Sequence, residues 1–415
     1  MSPELTSRML KLALSRLGAG SLTVVEPDGT RLTFGSGTPE AEMWLRSDLA
    51  WSAFLRGSLG LSDAYADGLW ESPDLVALVR LAARAMPVLD RARVIAAPAL
   101  RPVEFARRRS RRRSRDQRRR DVAAHYDLGN ELFSRMLDET MTYSCALFSE
   151  PGMSLEEAQL AKLERVCEVL DIGPDDHVLE IGTGWGSFAV HAATTRGCRV
   201  TTTTISREQY RHVTERVRDA GLSEAVTVLD RDFRDLSGRY DKLVSIEMIE
   251  AVGWRGFGGF LAHCSRLLEP DGAMLLQAIT IDDRAYAVEK ATRSFIKEYI
   301  FPGGALPSLS VLARALARRT DLQVLDLEDL TEHYVGTLRR WRASFVANAE
   351  ALAELGYDER FRRIWSLYLA YCEAGFAERR IGDVQILLGK PGFRRGAAVG
   401  DQSAARVGSF SRACA

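Results

Sequence analysis

The sequence contains little that would suit an exported or membrane-embedded protein. Its six cysteines are widely spaced and include no Cys-x-x-Cys pair, which argues against both a disulfide framework and a zinc site. No apolar run approaches the roughly 20 residues needed to cross a bilayer, and the N-terminus lacks the apolar block of a signal peptide. We therefore expect a cytoplasmic protein with reduced thiols and no metal site.

The length and composition favour an enzyme-sized globular protein. With 415 residues, of which 46% are hydrophobic, the chain can bury a large core and is long enough for two domains. We expect a domain over residues 1–95, a linker over 96–120, a larger domain over 121–390 and a disordered tail over 391–415.

The formal net charge of zero hides one strongly basic segment. Residues 101–120 contain eleven arginines, against the two acids Glu104 and Asp116. The simplest interpretation is a solvated linker. The functional alternatives are an anionic phospholipid surface, which attracts basic residues, or a nucleic acid. Charge alone does not choose between them.

The N-terminal region has the pattern of a small α+β module. An amphipathic helix is predicted near Leu5 to Leu17, followed by a hairpin of strands 21–25 and 31–34 and then by helices through about Ala85. No catalytic constellation is visible in this region, so we expect it to bind or to scaffold.

From about residue 160 the hydrophobic pattern alternates between strand and helix. This alternation predicts an α/β fold with a doubly wound sheet, in which ligands bind at the carboxyl ends of the strands. The expected strands are 178–182, 199–204, 226–230, 241–246 and 273–281. One expected helix ends at Leu170, and three others span 186–195, 206–220 and 255–268.

The first of these strands runs into a glycine-rich turn. Gly182, Gly184 and Gly186 would let the backbone approach a ligand that a Cβ would block. Glu180 can reach ribose hydroxyls or an ammonium group. The spacing lacks the third glycine of the dinucleotide signature, so the turn fits an S-adenosylmethionine fold better than a dinucleotide fold.

Polar residues also follow the second and third strands. Thr204 and Gln209 replace the acid that commonly binds ribose after the second strand. Asp232 and Phe233 follow the third strand and suit an adenine, because the ring can stack and the carboxylate can accept from the exocyclic amine. The alternative for Asp232 is a solvated loop acid.

Two carboxylates follow the fourth strand. Glu247 and Glu250 lie three residues apart, beside the apolar Met248 and Ile249. One of them could lie in the pocket with a perturbed pKa. Alternatively, one of them caps the helix that starts near Trp254.

Six motifs occur in a characteristic order over about residues 120–390. They are His125–Asn130, Met141–Cys145, Leu179–Gly186, Glu247–Gly253, Lys297–Gly304 and Tyr368–Phe376. Together they resemble the motifs of cyclopropane-fatty-acyl-phospholipid synthases and mycolic acid cyclopropane synthases.

This resemblance implies a Rossmann-like class I methyltransferase sheet with a helical lid, beside the smaller N-terminal domain. It implies transfer of the methyl group of S-adenosylmethionine to a cis double bond of a phospholipid acyl chain. It adds Tyr143 and Ser144 to the cofactor-binding positions. It also implies an anionic membrane surface as partner, a lipid-engaging N-terminal module and a homodimer, with no nucleic acid.

The resemblance further implies a bound bicarbonate ion as the base that closes the ring. Methylation of the double bond leaves a carbocation, and a proton must then be removed from the new methyl group. Carried over position by position, the pocket would be formed by Cys145, Glu250, Gln277, Ile279, Tyr334 and Cys372. Cys145 would contribute its backbone, and Cys372 would line the pocket.

The chain departs from the family pattern at Gln277, where many bacterial synthases have histidine. An amide can donate to a carbonate oxygen but does not titrate near neutral pH. The segments 277–280 and 247–253 resemble an actinobacterial branch that includes enzymes making the methylene precursor of 10-methyl, tuberculostearic-type chains. Proton loss from the neighbouring chain carbon would give an alkene instead of a ring, so the sequence leaves the product open.

A nucleic-acid methyltransferase is the remaining alternative, because of the basic segment 101–120. Enzymes that methylate base amino groups carry an Asn/Asp-Pro-Pro-Tyr/Phe signature. The fourth strand instead ends in Ser-Ile-Glu-Met, which argues against this alternative.

Overall fold

The computed structural model of the chain describes residues 3–18, 20–86, 129–292 and 294–394. The arginine-rich segment, His125 and residues 395–415 lie outside these ranges. None of the helices within them combines the length and hydrophobicity required to cross a membrane.

Residues 3–86, here called the N-terminal module, combine helices with a four-stranded sheet. Its elements are α1 (Pro3–Leu14), β1 (Gly20–Val25), β2 (Arg31–Ser36), β3 (Glu40–Leu45), α2 (Leu49–Phe54), α3 (Gly57–Ala66), β4 (Trp70–Glu71) and α4 (75–86). The strand order is β2-β1-β3-β4.

The structure confirms the predicted first helix and hairpin but not an all-helical continuation. Strand β3 pairs in parallel with β1, and β4 pairs with β3. The β3 sequence alternates inward Ala41, Met43 and Leu45 with outward residues. Pairing on a half-buried surface outweighs the helical propensity of its Glu, Ala and Leu residues.

The larger part of the chain forms a seven-stranded α/β sheet with its flanking helices. Its elements are α5 (Asn130–Met136), α6 (Leu155–Leu170), β5 (His177–Ile181), α7 (Ser187–Arg196), β6 (Arg199–Thr204), α8 (Arg207–Asp219), β7 (Val226–Asp230), β8 (Tyr240–Ile246), α9 (Phe257–Leu267), β9 (Leu268–Ile281), α10 (Asp283–Ala291), a π-helical turn (Ile296–Ile300), α11 (Leu309–Arg319), β10 (Gln323–Asp329), α12 (Thr331–Ala347), α13 (Ala349–Glu354), α14 (Glu359–Ala377) and β11 (Ile381–Gly389).

The strand order β10-β11-β9-β8-β5-β6-β7 confirms the doubly wound prediction. Strands β5 to β9 run in parallel, and β10 and β11 form an antiparallel pair at one edge. The chain starts at β5 in the middle and winds first towards β7 and then towards β10. Such a reversal opens a crevice at the carboxyl ends of β5 and β8, which is where ligands bind in these folds.

Alternate residues of the central strands enter two different cores. Val178 and Val200 pack in the cluster that contains helices α6 to α8, whereas Leu179 and Leu243 pack in the cluster that contains α9 and α11. Each fully buried side chain of this kind contributes about 1.5–3 kcal/mol. Burial on both faces therefore fixes the register of the strands and, with it, the position of the loops at their carboxyl ends.

A third core joins the N-terminal module to the helices that cover the sheet edge. It includes Trp51 and Trp70 of the module together with Phe133, Trp341 and Tyr368. Polar contacts add to this interface, since Glu378 accepts hydrogen bonds from Arg80 and Arg84 at 2.7 Å each. Helices α12 and α14 in this core form the helical cover that was expected over the sheet.

Candidate active site

The glycine turn after β5 forms an open cradle. Gly182, Gly184 and Gly186 all have positive φ, at +101°, +53° and +86°. A Cβ built on Gly184 would meet no described atom within 4 Å, whereas one on Gly182 would lie 3.0 Å from Met248 Cγ. The backbone at Gly184 therefore borders a space that a ligand can fill. The lack of a side chain at Gly182 instead allows Met248, which follows β8, to pack closely against the turn.

Glu180 lies beneath this turn with its side chain buried. Its Oε2 accepts a hydrogen bond from Thr202 Oγ1 at 2.5 Å. Desolvation raises the pKa of Glu180 to about 8, although the hydrogen bond from Thr202 opposes the shift. The carboxyl group is therefore mostly protonated at neutral pH in the free protein, and an added hydrogen-bond donor would favour its ionised form.

The other expected cofactor residues lie at the ends of β6 and β7. Thr204 donates to Gln209 Oε1 at 2.8 Å. Asp232 is buried rather than solvated. Its two carboxylate oxygens accept hydrogen bonds from the Arg234 guanidinium at 2.6 and 2.8 Å. Phe233 is half-buried and packs edge-on against Phe260.

Tyr143 and Ser144 belong to a loop that helix α6 holds in place. Lys162 Nζ donates to Ser144 Oγ at 2.7 Å, and Gln159 donates to the Ser144 carbonyl at 2.9 Å. Both α6 side chains are buried. Gln159 and Lys162 were not identified from the sequence. Their position was a usable signal, because these two polar residues lie on the same buried face of α6 as Ala158, Leu163 and Val166.

Glu247 is the centre of a hydrogen-bonded cluster at the end of β8. Its Oε1 accepts from the Cys145 backbone N–H at 2.8 Å and from Gln277 Nε2 at 2.9 Å. Its Oε2 accepts from Tyr334 OH at 2.6 Å. The structure thus brings Cys145, Gln277 and Tyr334 together as expected, but around Glu247 and not around Glu250.

The backbone of Glu247 has a left-handed conformation, with φ at +48°. This conformation costs a residue other than glycine roughly 1–2 kcal/mol. The hydrogen bond from the Glu247 backbone N–H to the Gln277 carbonyl, at 2.9 Å, and the three hydrogen bonds to the Glu247 side chain stabilise this unfavourable conformation. Backbone strain of this kind collects at functional sites.

Glu250 lies beside this cluster with different partners. Its Oε1 accepts from the Ile279 backbone N–H at 2.6 Å, and its buried Oε2 has no hydrogen-bond partner among the described residues. Desolvation and then the nearby Glu247 raise the pKa of Glu250 to about 8. Neither glutamate caps the next helix, because α9 begins at Phe257 and its N-cap residue is Gly256.

The last strand adds a third carboxyl group that sequence reasoning also missed. Asp383 on β11 is fully buried, and its Oδ2 accepts from Gln277 Nε2 at 2.9 Å. Desolvation and then Glu247 raise its pKa well above the usual value. Gln385 donates to Gln277 Oε1 at 3.0 Å, so the Gln277 amide is fixed in orientation.

Aromatic side chains from the covering helices wall the cluster. Tyr334 stacks on Phe376 with ring centroids 4.3 Å apart, and Trp341 lies between Tyr334 and Tyr143. The Tyr143 and Tyr368 hydroxyls are 2.7 Å apart. Such packing shields the cluster from water.

The two candidate cysteines are neutral thiols. Cys145 is buried, and desolvation raises its pKa well above the usual value. Cys372 on α14 is half-buried, and desolvation raises its pKa to about 12. Since the thiolate is the nucleophilic form, neither residue is suited to covalent catalysis.

The fold and the glycine cradle define a class I methyltransferase that uses S-adenosylmethionine. A family model described as mycolic acid cyclopropane synthetase matches residues 113–386, and the chain belongs to this family. The chain is 39% identical over 386 residues to a tuberculostearic acid methyltransferase of Mycobacterium tuberculosis, covering 90% of this chain and 88% of the relative.

Two further comparisons agree with this assignment. A cyclopropane-fatty-acyl-phospholipid synthase of Escherichia coli is 35% identical over 341 residues, covering 80% of this chain and 84% of the relative. A crystal structure of a mycolic acid cyclopropane synthase complexed with SAH and CTAB is 31% identical, with a TM-score of 0.62. It covers 66% of this chain and 98% of that one.

The open space at Gly184 makes it the sharpest test of the cradle. We expect Gly184→Ala to weaken S-adenosylmethionine binding at least tenfold, since a Cβ would enter the ligand space and a positive φ disfavours alanine. Isothermal titration calorimetry would measure the change. Gly152→Ala is the matched control, because that glycine also has positive φ and open surroundings but lies in a different loop. Equal losses in both variants would contradict the assignment.

The pKa of Glu180 makes cofactor binding depend on pH. Ribose hydroxyls or an ammonium group would donate to the ionised carboxylate, so binding should release a proton below the free-protein pKa of about 8. Affinity should then rise by up to about tenfold per pH unit as the pH increases towards 8, and level off above it. Calorimetry on the wild type and on Glu180→Gln would check this. A pH dependence that is the same in the variant would show that another group is responsible.

Proposed function

We propose that the chain transfers the methyl group of S-adenosylmethionine to a cis double bond in the acyl chain of a phospholipid. The observation that carries the proposal is the pair of desolvated glutamates, Glu247 and Glu250, against an aromatic wall beside the glycine cradle. An alkene is a weak nucleophile, so the protein must hold it in line with the methyl donor in a dry space. Bound S-adenosylmethionine supplies the electrophilic methyl group.

The residues around the cradle suit the cationic course of this reaction. Methylation of one alkene carbon places positive charge on its neighbour. The aromatic side chains and the carboxyl groups of the cluster would stabilise such a cation. The neutral thiols of Cys145 and Cys372 limit the risk that a protein nucleophile traps it.

Two products can arise from this cation. Loss of a proton from the new methyl group, with bond formation to the cationic carbon, gives a cyclopropane. If a hydride first shifts to that carbon from the methylated one, the same proton loss gives an exocyclic methylene group. We favour the methylene product, the precursor of a tuberculostearic-type chain, because the tuberculostearic relative matches more of this chain at higher identity than the cyclopropane synthase does.

The residues present do not fit a bicarbonate ion as the base. The donors that would hold the ion are the Cys145 backbone N–H, Gln277 Nε2 and Tyr334 OH, and all three already donate to Glu247. An anion at the same place would also face the charge on that carboxylate. We therefore assign no step to bicarbonate.

The product experiment uses full-length protein, S-adenosylmethionine and vesicles of dioleoyl phosphatidylglycerol. We expect one CH₂ unit to be added to each modified acyl chain, as measured by mass spectrometry, and vinylidene proton signals in the NMR spectrum of the released fatty acids. Ring proton signals at high field would instead identify a cyclopropane synthase. Vesicles of a saturated phosphatidylglycerol are the control. Unmodified oleoyl chains, despite bound cofactor, would contradict the function.

We further propose that the N-terminal module contacts an anionic membrane surface, and that the protein works as a homodimer. The membrane proposal is supported by four large apolar side chains that are more than half exposed on or beside α1 and α2, namely Met9, Leu12, Leu49 and Leu55. Their exposure on helices that pack together suits insertion into a headgroup layer. The dimer follows from the family resemblance alone.

Serine substitutions test the membrane surface. We expect the double variant Leu12→Ser and Leu55→Ser to bind dioleoyl phosphatidylglycerol vesicles at least roughly tenfold more weakly, because it loses apolar area that would leave water. Vesicle flotation measures the affinity. Val346→Ser, at a side chain of similar exposure on α12, is the control and should bind normally. Unchanged binding by the double variant would assign membrane contact to another part of the chain.

A further inference from the structure

The place that the family resemblance gives to a bicarbonate ion is filled by a side chain of this protein. We propose that the carboxylate of Glu247 takes the position of that anion and is the base that removes the proton after methyl transfer. This inference rests on the proposed function and names the catalytic base of the same site.

The hydrogen bonds to Glu247 match those that a bound carbonate-like anion would need. Three donors converge on its two oxygens from three separate parts of the chain, namely the Cys145 backbone, Gln277 on β9 and Tyr334 on α12. A carboxylate and a bicarbonate have the same planar pair of acceptor oxygens. The three donors therefore serve either group equally well, and here they already hold Glu247.

The backbone shows that this position is built for the side chain. Glu247 has a left-handed φ of +48°, which glycine adopts without penalty and other residues avoid. A glycine here would leave the three donors facing an empty place. This chain has a glutamate in an unfavourable backbone conformation, and in that conformation its carboxylate accepts hydrogen bonds from the three donors.

Glu247 retains the capacity to accept a proton. A carboxylate offers about four acceptor positions, and three of them are used by the protein. Glu247 as a whole residue is half-buried, whereas Asp383 is fully buried. In the proposed step, a C–H bond of the new methyl group breaks and its proton moves to a Glu247 oxygen. After a hydride shift its electron pair forms the π bond of the methylene group, and without that shift it forms the bond that closes a cyclopropane.

The neighbouring acids are less suited to this role. Asp383 is fully buried behind the Gln277 amide. Glu250 has one hydrogen-bond donor, and burial beside Glu247 raises its pKa to about 8. Three donors favour the ionised form of Glu247, although desolvation raises the pKa of its carboxyl group. Among the described residues, Glu250 accepts a hydrogen bond from one donor only.

The decisive variant is Glu247→Gly, because glycine removes the carboxylate, relieves the backbone and leaves the three donors in place. We expect the wild type to turn over equally in bicarbonate-depleted and bicarbonate-supplemented buffer. We expect Glu247→Gly to lose at least about 100-fold in kcat without bicarbonate and to recover at least tenfold when bicarbonate is added. Glu247→Gln, whose amide fills the place without being a base, should be equally slow and should not be rescued.

A binding measurement separates this inference from the proposed function. We expect ¹³C-labelled bicarbonate to bind Glu247→Gly and not the wild type, as observed by NMR with no lipid present. A wild type that modifies no acyl chain would refute the function while leaving this binding result intact. A wild type that needs bicarbonate, a Glu247→Gln variant with normal kcat, or a folded, cofactor-binding Glu247→Gly that bicarbonate neither binds nor rescues would overturn the assignment of Glu247.

Discussion

The hydrogen bonds that converge on the Glu247 carboxylate are the interaction on which the rest of the site depends. A desolvated carboxylate is strongly unfavourable unless donors surround it. Those donors come from the loop before α6, from β9 and from α12. The charge therefore stabilises one arrangement in which the sheet edge, the loop and the covering helix are all in place. Loss of Tyr334 would leave Glu247 Oε2 without this donor, and loss of Gln277 or of the Cys145 N–H would remove one of the two donors to Oε1. The geometry of the three segments is linked in this way.

Charge balance inside the cluster explains how several ionisable groups can share one buried place. Lys162 is buried, and desolvation lowers its pKa, while the nearby Glu247 opposes that shift. Desolvation and then Glu247 raise the pKa of Glu250 to about 8 and that of Asp383 well above its usual value. Lys162 and Glu247 each favour the charged form of the other, against the desolvation that disfavours both charges.

Much of the sheet could be predicted from the sequence, because β5, β8 and β9 are rich in apolar residues, β6 is rich in β-branched residues and several of the helices between the strands are amphipathic. The glycine turn was also predictable, since close approach to a ligand requires those residues. The role of Glu247 was not, because it depends on a left-handed backbone and on donors more than a hundred residues away in the case of Cys145. Lys162 and Asp383 were missed for the same reason, since they reach the cluster only when α6 packs against β9 and β11 pairs with β9. Strand β3 was missed because pairing with β1, a tertiary effect, decides its conformation.

A base that belongs to the chain has a consequence for product selection. The cyclopropane and methylene products differ in whether a hydride shifts before the same methyl group loses its proton, so the timing and position of proton removal decide between them. A diffusible anion is positioned by its hydrogen-bond donors alone. Glu247 is positioned both by its backbone and by the three donors to its carboxylate. Gln277 adds to this rigidity, because Gln385 and Asp383 hold its amide while it donates to Glu247. Under our proposal, a base fixed in this way would remove the proton only from one position of the methyl group, so the position of Glu247 would decide whether a hydride shift comes first.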